Sequence, residues 1–259
     1  MFVRTLQSFG KSLSRPSKLQ RRAKAFTLAG PRPQIERLED RTLLSAASQA
    51  LVAQMYQDLL QRPADAGGLT NWTAALDHNA SPSQVALDVA QSPEARNLQV
   101  QSLYQQFLHR TADPAGLAGF TQALAAGQTL EQVAAAIVAS PEFYQNRGAG
   151  SDSGFLNALY QDALNRPIDS SGAASFGQAL AGSTSRAQVA AAIFASAELQ
   201  QDIVQRDYQY FLHRAADAGG LAISTQALQH GMRDEQLAAA IVGSAEYAQI
   251  VQNDSGSLQ

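Results

Sequence analysis

The sequence predicts an all-α protein: two tandem pseudo-repeated helical domains, containing four repeats of roughly 48 residues, after a disordered N-terminal tail. Three observations lead to this prediction. The frame Tyr-x5-Arg-x2-Asp-x2-Gly occurs four times, apolar residues recur at helical spacing around it, and helix-capping residues stand at corresponding places in the copies.

The four copies of the frame differ in how closely they resemble one another. Residues 104–124 and 208–228 align without a gap and are identical at most positions, whereas looser copies begin at Tyr56 and Tyr160. Successive frame arginines are 48, 56 and 48 residues apart. We infer that a two-repeat unit was duplicated whole.

This spacing predicts the domain boundaries. Residues 1–46 are a basic disordered tail with an export-like segment, 47–147 are helical domain 1 with repeats one and two, 148–154 are a Gly/Ser linker, 155–252 are helical domain 2 with repeats three and four, and 253–259 are a disordered tail. New helices after Ser92 and Ser196 are expected to run into the next frame without a break. The Gly/Ser linker is expected to separate the two domains.

Composition and charge limit the possible functions. The chain has no cysteine, which excludes disulfides and thiolate sites, and no apolar run reaches the ~18 residues of a membrane helix. Residues 1–41 hold ten Lys/Arg and three acids, a net +7, whereas the remainder holds nine Arg and 19 acids, a net −10. Such a tail suits targeting or polyanion binding, and no nucleic acid is expected on the acidic body.

Each repeat is predicted to contain three helices. The first carries a stripe such as Leu51, Met55 and Leu59, and the second starts at the frame aspartate and carries an aromatic residue except at Ser224. The third is rich in alanine and starts with a hydroxyl residue and a glutamine three positions on, a capping box, except in copy four, where Arg233 takes the place of the hydroxyl residue. Small side chains allow its neighbours to approach closely.

The frame residues are interpreted as structural. They are Arg62, Asp65, Gly68, Trp72, Arg110, Asp113, Gly116, Phe120, Arg166, Asp169, Gly172, Phe176, Arg214, Asp217 and Gly220. Each aspartate is expected to cap a helix, and each arginine to bind that aspartate or free carbonyls. A calcium loop is the alternative for the aspartates, but each loop supplies one carboxylate where calcium needs several oxygen ligands. A ligand-facing arginine that binds acidic sugars or carboxylates is the alternative for the arginines.

The frame glycines stand near the third position of the second helix, where glycine costs about 1 kcal/mol relative to alanine. Their recurrence predicts that a backbone passes too close to the helix for a side chain. We predict no catalytic residues, no metal site and no cofactor, because reactive motifs are absent from the sequence and acids repeated four times are better explained by folding.

The end of the tail resembles the export segment of planctomycete-type surface proteins, whose core is Leu-Glu-Pro-Arg-x-Leu-Leu-Ser-Ala. The matching residues are Leu38, Glu39, Arg41, Leu43, Leu44, Ser45 and Ala46, with Asp40 in place of proline. The resemblance implies secretion or delivery to the cell surface. The alternative is a basic disordered tail that meets the first helix at Thr42.

The repeated frame, the Val/Ala-rich third helix and the closing Ser-x-Glu-Tyr/Phe resemble the bacterial domain of unknown function 4214. Residues 51–251 are covered as two tandem domains, and copies three and four depart from the family pattern at Ala173 and Ser224. The resemblance implies a secreted or surface-associated binding module without established catalytic residues. A weaker similarity to linker domains of light-harvesting assemblies implies scaffolding.

The sequence therefore favours a non-enzymatic exported or cell-surface binding or scaffold module, with matrix- or glycan-associated adhesion as one form of it. Its partner would be a protein or polysaccharide at the cell surface. Two alternatives are a secreted polysaccharide-active enzyme that uses an acid such as Asp65 or Asp113 with Arg62 or Arg110, and polyanion binding through the basic tail.

Overall fold

The computed structural model describes the backbone of residues 35–256 and, within that range, the side chains of residues 45–254. Every regular element in this range is an α-helix. The first helices of the four repeats are α1 (Ile35–Leu60), α4 (Pro93–Leu108), α8 (Asp152–Leu164) and α11 (Ala197–Leu212). The second helices are α2 (Ala66–Asp77), α5 (Pro114–Ala125), α9 (Ser170–Ala181) and α12 (Ala218–Gln229). The third helices are α3 (Pro82–Ala90), α6 (Leu130–Val138), α10 (Arg186–Phe194) and α13 (Asp234–Val242), and two further helices are α7 (Pro141–Asn146) and α14 (Ala245–Gly256).

The first helix of each repeat buries the predicted apolar stripe. Met55, Val100 and Phe107, for example, are fully or almost fully buried. Each first helix ends at a residue with positive φ, namely Gln61, His109, Asn165 and His213. A residue in the left-handed conformation at this point ends the helix and directs the chain into the short loop that leads to the frame aspartate.

The second and third helices begin at the predicted caps, but the capping box predicted at Ser81 is not formed. Thr129 and Ser185 form complete capping boxes with the glutamines three residues on. Ser81 caps α3 without a side-chain hydrogen bond. In the fourth repeat, the backbone N–H of Arg233 donates to the Gln236 side chain over 2.9 Å, so half of the box is retained without the hydroxyl.

The long helices α4 and α11 each join two successive repeats, as predicted, whereas α7 and α8 are separate. The turn between them is close-packed. A Cβ atom on Gly154 would lie 2.1 Å from the carbonyl oxygen of Gly148. Arg147 pairs with Asp162 across the turn at 2.7 Å. The predicted linker 148–154 therefore interrupts the helix but fixes the two halves together.

The repeats close into a ring. Successive repeats contact one another, for example through α6 and α10, and repeat four also contacts repeat one, because α13 packs on α3 and α14 packs on α1. Tyr247 donates a hydrogen bond to the Asp58 carboxylate over 2.6 Å at this junction. Between α3 and α13, the side chain of Gln91 donates a hydrogen bond to the Glu235 carboxylate over 3.5 Å.

One hydrophobic core serves all four repeats. Its main cluster runs from Met55 in repeat one to Val251 in α14, with a smaller cluster around Val52 in repeat one. The prediction of two domains, 47–147 and 155–252, thus describes the duplication, but the halves do not have separate cores. The reason is that alanines of the third helices, such as Ala134 and Ala190, bury a second face against another repeat.

The ends of the chain also differ from the prediction. Helix α1 begins at Ile35, inside the predicted disordered tail 1–46, and α14 continues to Gly256, beyond the predicted end of domain 2 at residue 252. After Pro33 the sequence contains leucine, alanine and charged residues that favour helix, and neither proline nor glycine occurs again before Pro63. The rest of the tail, residues 1–34, and residues 257–259 lie outside the described residues. No helix within residues 35–256 is long and apolar enough to cross a membrane.

Candidate functional site

The frame residues of each repeat come together in one cluster, and the same geometry occurs four times. A tyrosine of the first helix, the arginine after that helix, and the aspartate and glycine that open the second helix are joined by a glutamate 32 residues after the arginine. The arginine–glutamate pairs are Arg62–Glu94, Arg110–Glu142, Arg166–Glu198 and Arg214–Glu246.

The arginine holds two helices together. Arg110 donates from Nε and Nη2 to the two oxygens of Glu142 over 2.6 and 2.7 Å, and from Nη1 to the carbonyl oxygen of Thr111 over 2.9 Å. Its guanidinium also lies 5.0 Å from the centre of the Tyr104 ring. Because Glu142 stands in the first turn of α7, the arginine ties the end of one helix to the start of a later one.

The predicted capping role of the aspartates is confirmed. Asp113 accepts a hydrogen bond from the backbone N–H of Gly116 over 2.9 Å, and the other three frame aspartates do the same. This hydrogen bond and nearby Arg110 keep the pKa of Asp113 below its usual value. The hydrogen bonds from Arg110 likewise lower the pKa of Glu142. These carboxyls are therefore held ionised.

The frame glycines make room for a side chain rather than a backbone, which corrects the prediction. A Cβ atom on Gly116 would lie 2.1 Å from the Tyr104 hydroxyl oxygen, and one on Gly68 would lie 2.2 Å from that of Tyr56. Gly220 and Gly172 are slightly less confined, at 2.7 and 2.9 Å from the corresponding tyrosines. The second helix can approach the tyrosine only where it lacks a side chain.

The aromatic residue of the second helix completes the cluster. Trp72 donates from Nε1 to the Tyr56 hydroxyl over 3.2 Å, and Phe120 meets Tyr104 edge-to-face at 6.1 Å between ring centres. Phe176 packs on Tyr160 in the same way. In the fourth repeat, where Ser224 replaces the aromatic residue, Tyr208 is only partly buried. The frame tyrosine of the fourth repeat is therefore less buried than Tyr56, Tyr104 and Tyr160.

The four clusters remain separate. The hydrogen bonds and ion pairs of the frame arginines and aspartates stay within their own clusters. None of these residues lines the larger cavities of the described chain. In the part of the chain whose side chains are described, no three His, Asp or Glu residues are grouped as metal ligands. The export-like segment from Leu38 to Ala46 lies within α1, and the side chains of residues 38–44 are outside the described set.

We predict that Arg110→Ala lowers the free energy of unfolding more than Glu142→Gln does. The arginine also binds the Thr111 carbonyl and stacks on Tyr104, whereas the glutamate accepts from the arginine alone. Because both side chains are about one-third exposed, their coupling in a double-mutant cycle should be about 1 kcal/mol or less. The coupling should vanish as the pH falls through the lowered pKa of Glu142, since the ion pair stabilises only the ionised carboxylate. Urea unfolding of wild type, the two single variants and the double variant at pH 7 and at progressively lower pH checks this; a coupling that does not decrease as the pH falls would contradict it.

A cavity of about 510 Å³ lies elsewhere, where repeats two, three and four meet. One wall is apolar and includes Leu103, Phe107, Phe194 and Ile203, from α4, α10 and α11. The remaining lining is polar. It consists of Gln99, Ser102, Gln106, Glu131, Arg206 and Asp234. Pockets of this size, with an apolar wall and a few converging polar groups, are typical of ligand sites.

The polar side of the cavity carries unusual carboxyls. Asp234, at the start of α13, has its pKa raised well above the usual value by burial and by neighbouring Glu131. The Oδ1 atom of Asp234 is buried and accepts no hydrogen bond from the described residues. Asp207 lies behind it on α11, and burial raises its pKa to about 6 even though Arg206 lies 3.5 Å away. The sequence analysis did not single out these acids. Asp234 does stand where the other copies have Pro82, Leu130 and Arg186.

We expect Asp207→Asn to stabilise the protein at pH 8. The pKa of Asp207 is higher in the folded chain, at about 6, than its ordinary value of 3.8, so between these values the folded state binds more protons. Stability should therefore fall as the pH rises through this window, and the asparagine removes the penalty. The expected gain is about 1–2 kcal/mol at pH 8 and much smaller at pH 3.5, where the wild-type carboxyl is protonated in the folded state and mostly protonated in the unfolded state. Thermal unfolding at the two pH values measures this; a variant less stable than wild type at pH 8 would contradict it.

Comparisons with known proteins give a family but no named relative. The sequence profile of DUF4214, described as a domain of unknown function, matches residues 41–99, 98–147 and 134–203. No curated protein and no solved structure matches the chain. The matched regions are consecutive and together cover more than half of the chain, from the end of the tail to the start of α11. The chain therefore belongs to the DUF4214 family and contains its domain in tandem.

Proposed function

We propose that this protein is a non-enzymatic binding or scaffold module that acts outside the cell or at its surface, in contact with a surface protein or polysaccharide. This proposal rests on the observation that the repeated polar side chains already have hydrogen-bond partners within the protein. Each frame arginine and aspartate is engaged within its own cluster, as in Arg110 with Glu142 and Asp113 with Gly116. The repeated residues therefore hold the fold, and ligand binding is left to other surfaces.

The export-like segment supports the location. It precedes a compact helical ring whose residues after position 41 carry a net charge of −10, a composition that favours solubility and disfavours polyanions. A closed ring with one core is also a rigid base for binding, since ligand contacts on it require little ordering. Adhesion to matrix or glycan is one function that such a base would serve.

Two measurements test the proposal. Fractionation of the source cells with intact-mass analysis should place the chain in the extracellular or surface fraction; retention of the full-length chain in the cytosol would contradict the proposed location. Purified folded protein should also sediment with isolated cell-surface material, and heat-unfolded protein serves as the control. Equal recovery of folded and unfolded protein would contradict a specific binding role.

The enzymatic alternative receives no support from the geometry of the frames. A general acid needs a pKa near the working pH, but hydrogen bonds and the arginines lower the pKa of Asp65 and Asp113. Arg62 and Arg110 are engaged by glutamates. Turnover of a glycan panel that Asp113→Asn abolishes without loss of helicity would revive this alternative.

The polyanion alternative concerns the tail, most of which lies outside the described residues. It predicts binding to heparin or nucleic acid that weakens steeply with salt and is lost when residues 1–41 are deleted. Binding that survives the deletion would rule out the tail as its source.

A further inference from the structure

The cavity between repeats two, three and four has more negative charge than its surroundings neutralise. Glu131 and Asp234 line it, with Asp207 close behind. Arg206 is the cationic residue of its lining, but the side chain is 65% exposed and its nearest carboxylate contact, to Asp207, is 3.5 Å long. Arg206 therefore leaves the negative charge of Asp234 and Glu131 largely without a neutralising positive charge. Such a pair must hold a proton or face a cation.

Asp234 and Glu131 hydrogen-bond to each other, which requires a shared proton, but one oxygen of Asp234 still lacks a hydrogen-bond donor. Oδ1 of Asp234 is buried and receives no hydrogen bond from the described residues. Buried carboxylate oxygens are normally satisfied by hydrogen bonds, and leaving one without a donor destabilises the folded protein. A ligand that brings N–H donors would satisfy this oxygen and neutralise the acid pair together.

The shape of the site favours an organic cation. Within the described residues, the acids do not form a group of three ligands suited to a metal ion. The lining also includes apolar side chains, among them Leu103, Phe107 and Phe194. An ammonium group attached to a hydrocarbon or aromatic body matches both sides of the cavity.

We propose that this cavity binds a small amphipathic primary amine, with its ammonium group against Asp234 and Glu131 and its apolar body against Phe107 and Phe194. This inference rests on the proposed function as a binding module and names the chemical class of one of its ligands. A free amine and the amino group of a larger surface molecule share this chemistry. The volume of about 510 Å³ admits a compound about the size of 2-phenylethylamine.

Calorimetric titration of the full chain with 2-phenylethylamine at about pH 7.5 tests the proposal. We expect a dissociation constant of about 1 mM or tighter, the range for a ligand of this size in a matched pocket. The neutral analogue 2-phenylethanol and the anionic analogue 3-phenylpropionate should bind at least tenfold more weakly, because neither carries an ammonium group. Equal binding of the alcohol and the amine would overturn the proposal.

Variants localise the binding. Asp234→Asn and Glu131→Gln should each weaken amine binding at least tenfold, whereas Asp202→Asn, an equal charge change at an exposed position of α11 outside the cavity, should leave it unchanged. Ser102→Trp at the exposed rim should block the cavity without changing an acid, which keeps the test decisive if a core variant fails to fold. Amine binding that survives both Asp234→Asn and Ser102→Trp would overturn the assigned site. Loss of sedimentation with surface material contradicts the proposed function, whereas absence of amine binding with sedimentation intact contradicts only this inference.

Discussion

Replacing Gly243 with alanine is expected to lower the free energy of unfolding of the whole chain by about 3 kcal/mol. Gly243 follows α13 with φ −85°, a backbone conformation that alanine also adopts. The effect of the substitution therefore depends only on whether the added methyl group has room. A Cβ atom there would lie 2.1 Å from Oγ, 2.4 Å from Cα and 2.4 Å from N of Ser83. Two of these atoms belong to the backbone, so α3 and α13 must separate where repeats one and four meet.

Two further variants isolate this effect. Ser83→Gly should not rescue Gly243→Ala, because the backbone of residue 83 remains in place. Gly177→Ala on α9, where a Cβ atom would meet nothing within 4 Å, should be neutral or stabilising. Urea unfolding followed by circular dichroism measures all of these variants. An unchanged midpoint for Gly243→Ala would mean that the α3–α13 contact does not hold the ring closed.

Gly116→Ala should destabilise the protein by about 2 kcal/mol, whereas Gly119→Ala on the same helix should stabilise it by up to about 1 kcal/mol. A Cβ atom on Gly116 meets the hydroxyl oxygen of Tyr104 at 2.1 Å and its Cζ at 3.0 Å. One on Gly119 meets nothing within 4 Å. Tyr104 is buried and stacked by Arg110, so it has little freedom to move away.

Removal of the hydroxyl provides the decisive control. Tyr104→Phe should recover much of the stability lost in Gly116→Ala, with the remaining contact to Cζ limiting the rescue. The equivalent change at Gly172, where the tyrosine oxygen is 2.9 Å away, should cost less. Thermal unfolding ranks the variants. Equal effects at Gly116 and Gly119 would show that the tyrosine contact does not explain why the frame keeps glycine.

The local architecture was predictable because it depends on patterns of residues that lie close together in the sequence. The apolar stripe of each first helix, the aspartate caps and the continuity of α4 and α11 follow from the spacing of apolar residues and from residues with known capping preferences. The capping role of Asp113 needed only its position before a helical stretch. These features depend on residues within one or two turns of one another.

The closed ring was not predictable in this way. The glycine-rich stretch 148–154 has the composition of a flexible linker, but Gly148 and Gly154 are there because two backbones touch. The alanine faces that join α6 to α10 also fit packing within a repeat. Long-range pairing of nearly identical helices leaves little trace in one sequence.

The arginine–glutamate pairs correspond to a regular spacing in the sequence that was not recognised as a contact. Each glutamate belongs to the closing Ser-x-Glu motif, and an acid there favours the first turn of a helix, a position that Glu142 occupies in α7. The constant separation of 32 residues from the frame arginine in all four repeats indicates a contact as well. The cavity acids offered no comparable signal, since Asp234 occurs at its repeat position only once.

The single tryptophan of the chain gives the most direct test of the closed ring. Trp72 lies in repeat one, before residues 148–154 in the sequence, whereas repeat four lies after them. Its fluorescence therefore reports the unfolding of the first half, while circular dichroism reports the unfolding of all helices. In urea, the two signals should follow one coincident transition, and Gly243→Ala in the fourth repeat should shift the Trp72 transition as much as the helical one. Two separated transitions, or a Trp72 transition that ignores Gly243→Ala, would contradict a single core shared by all four repeats.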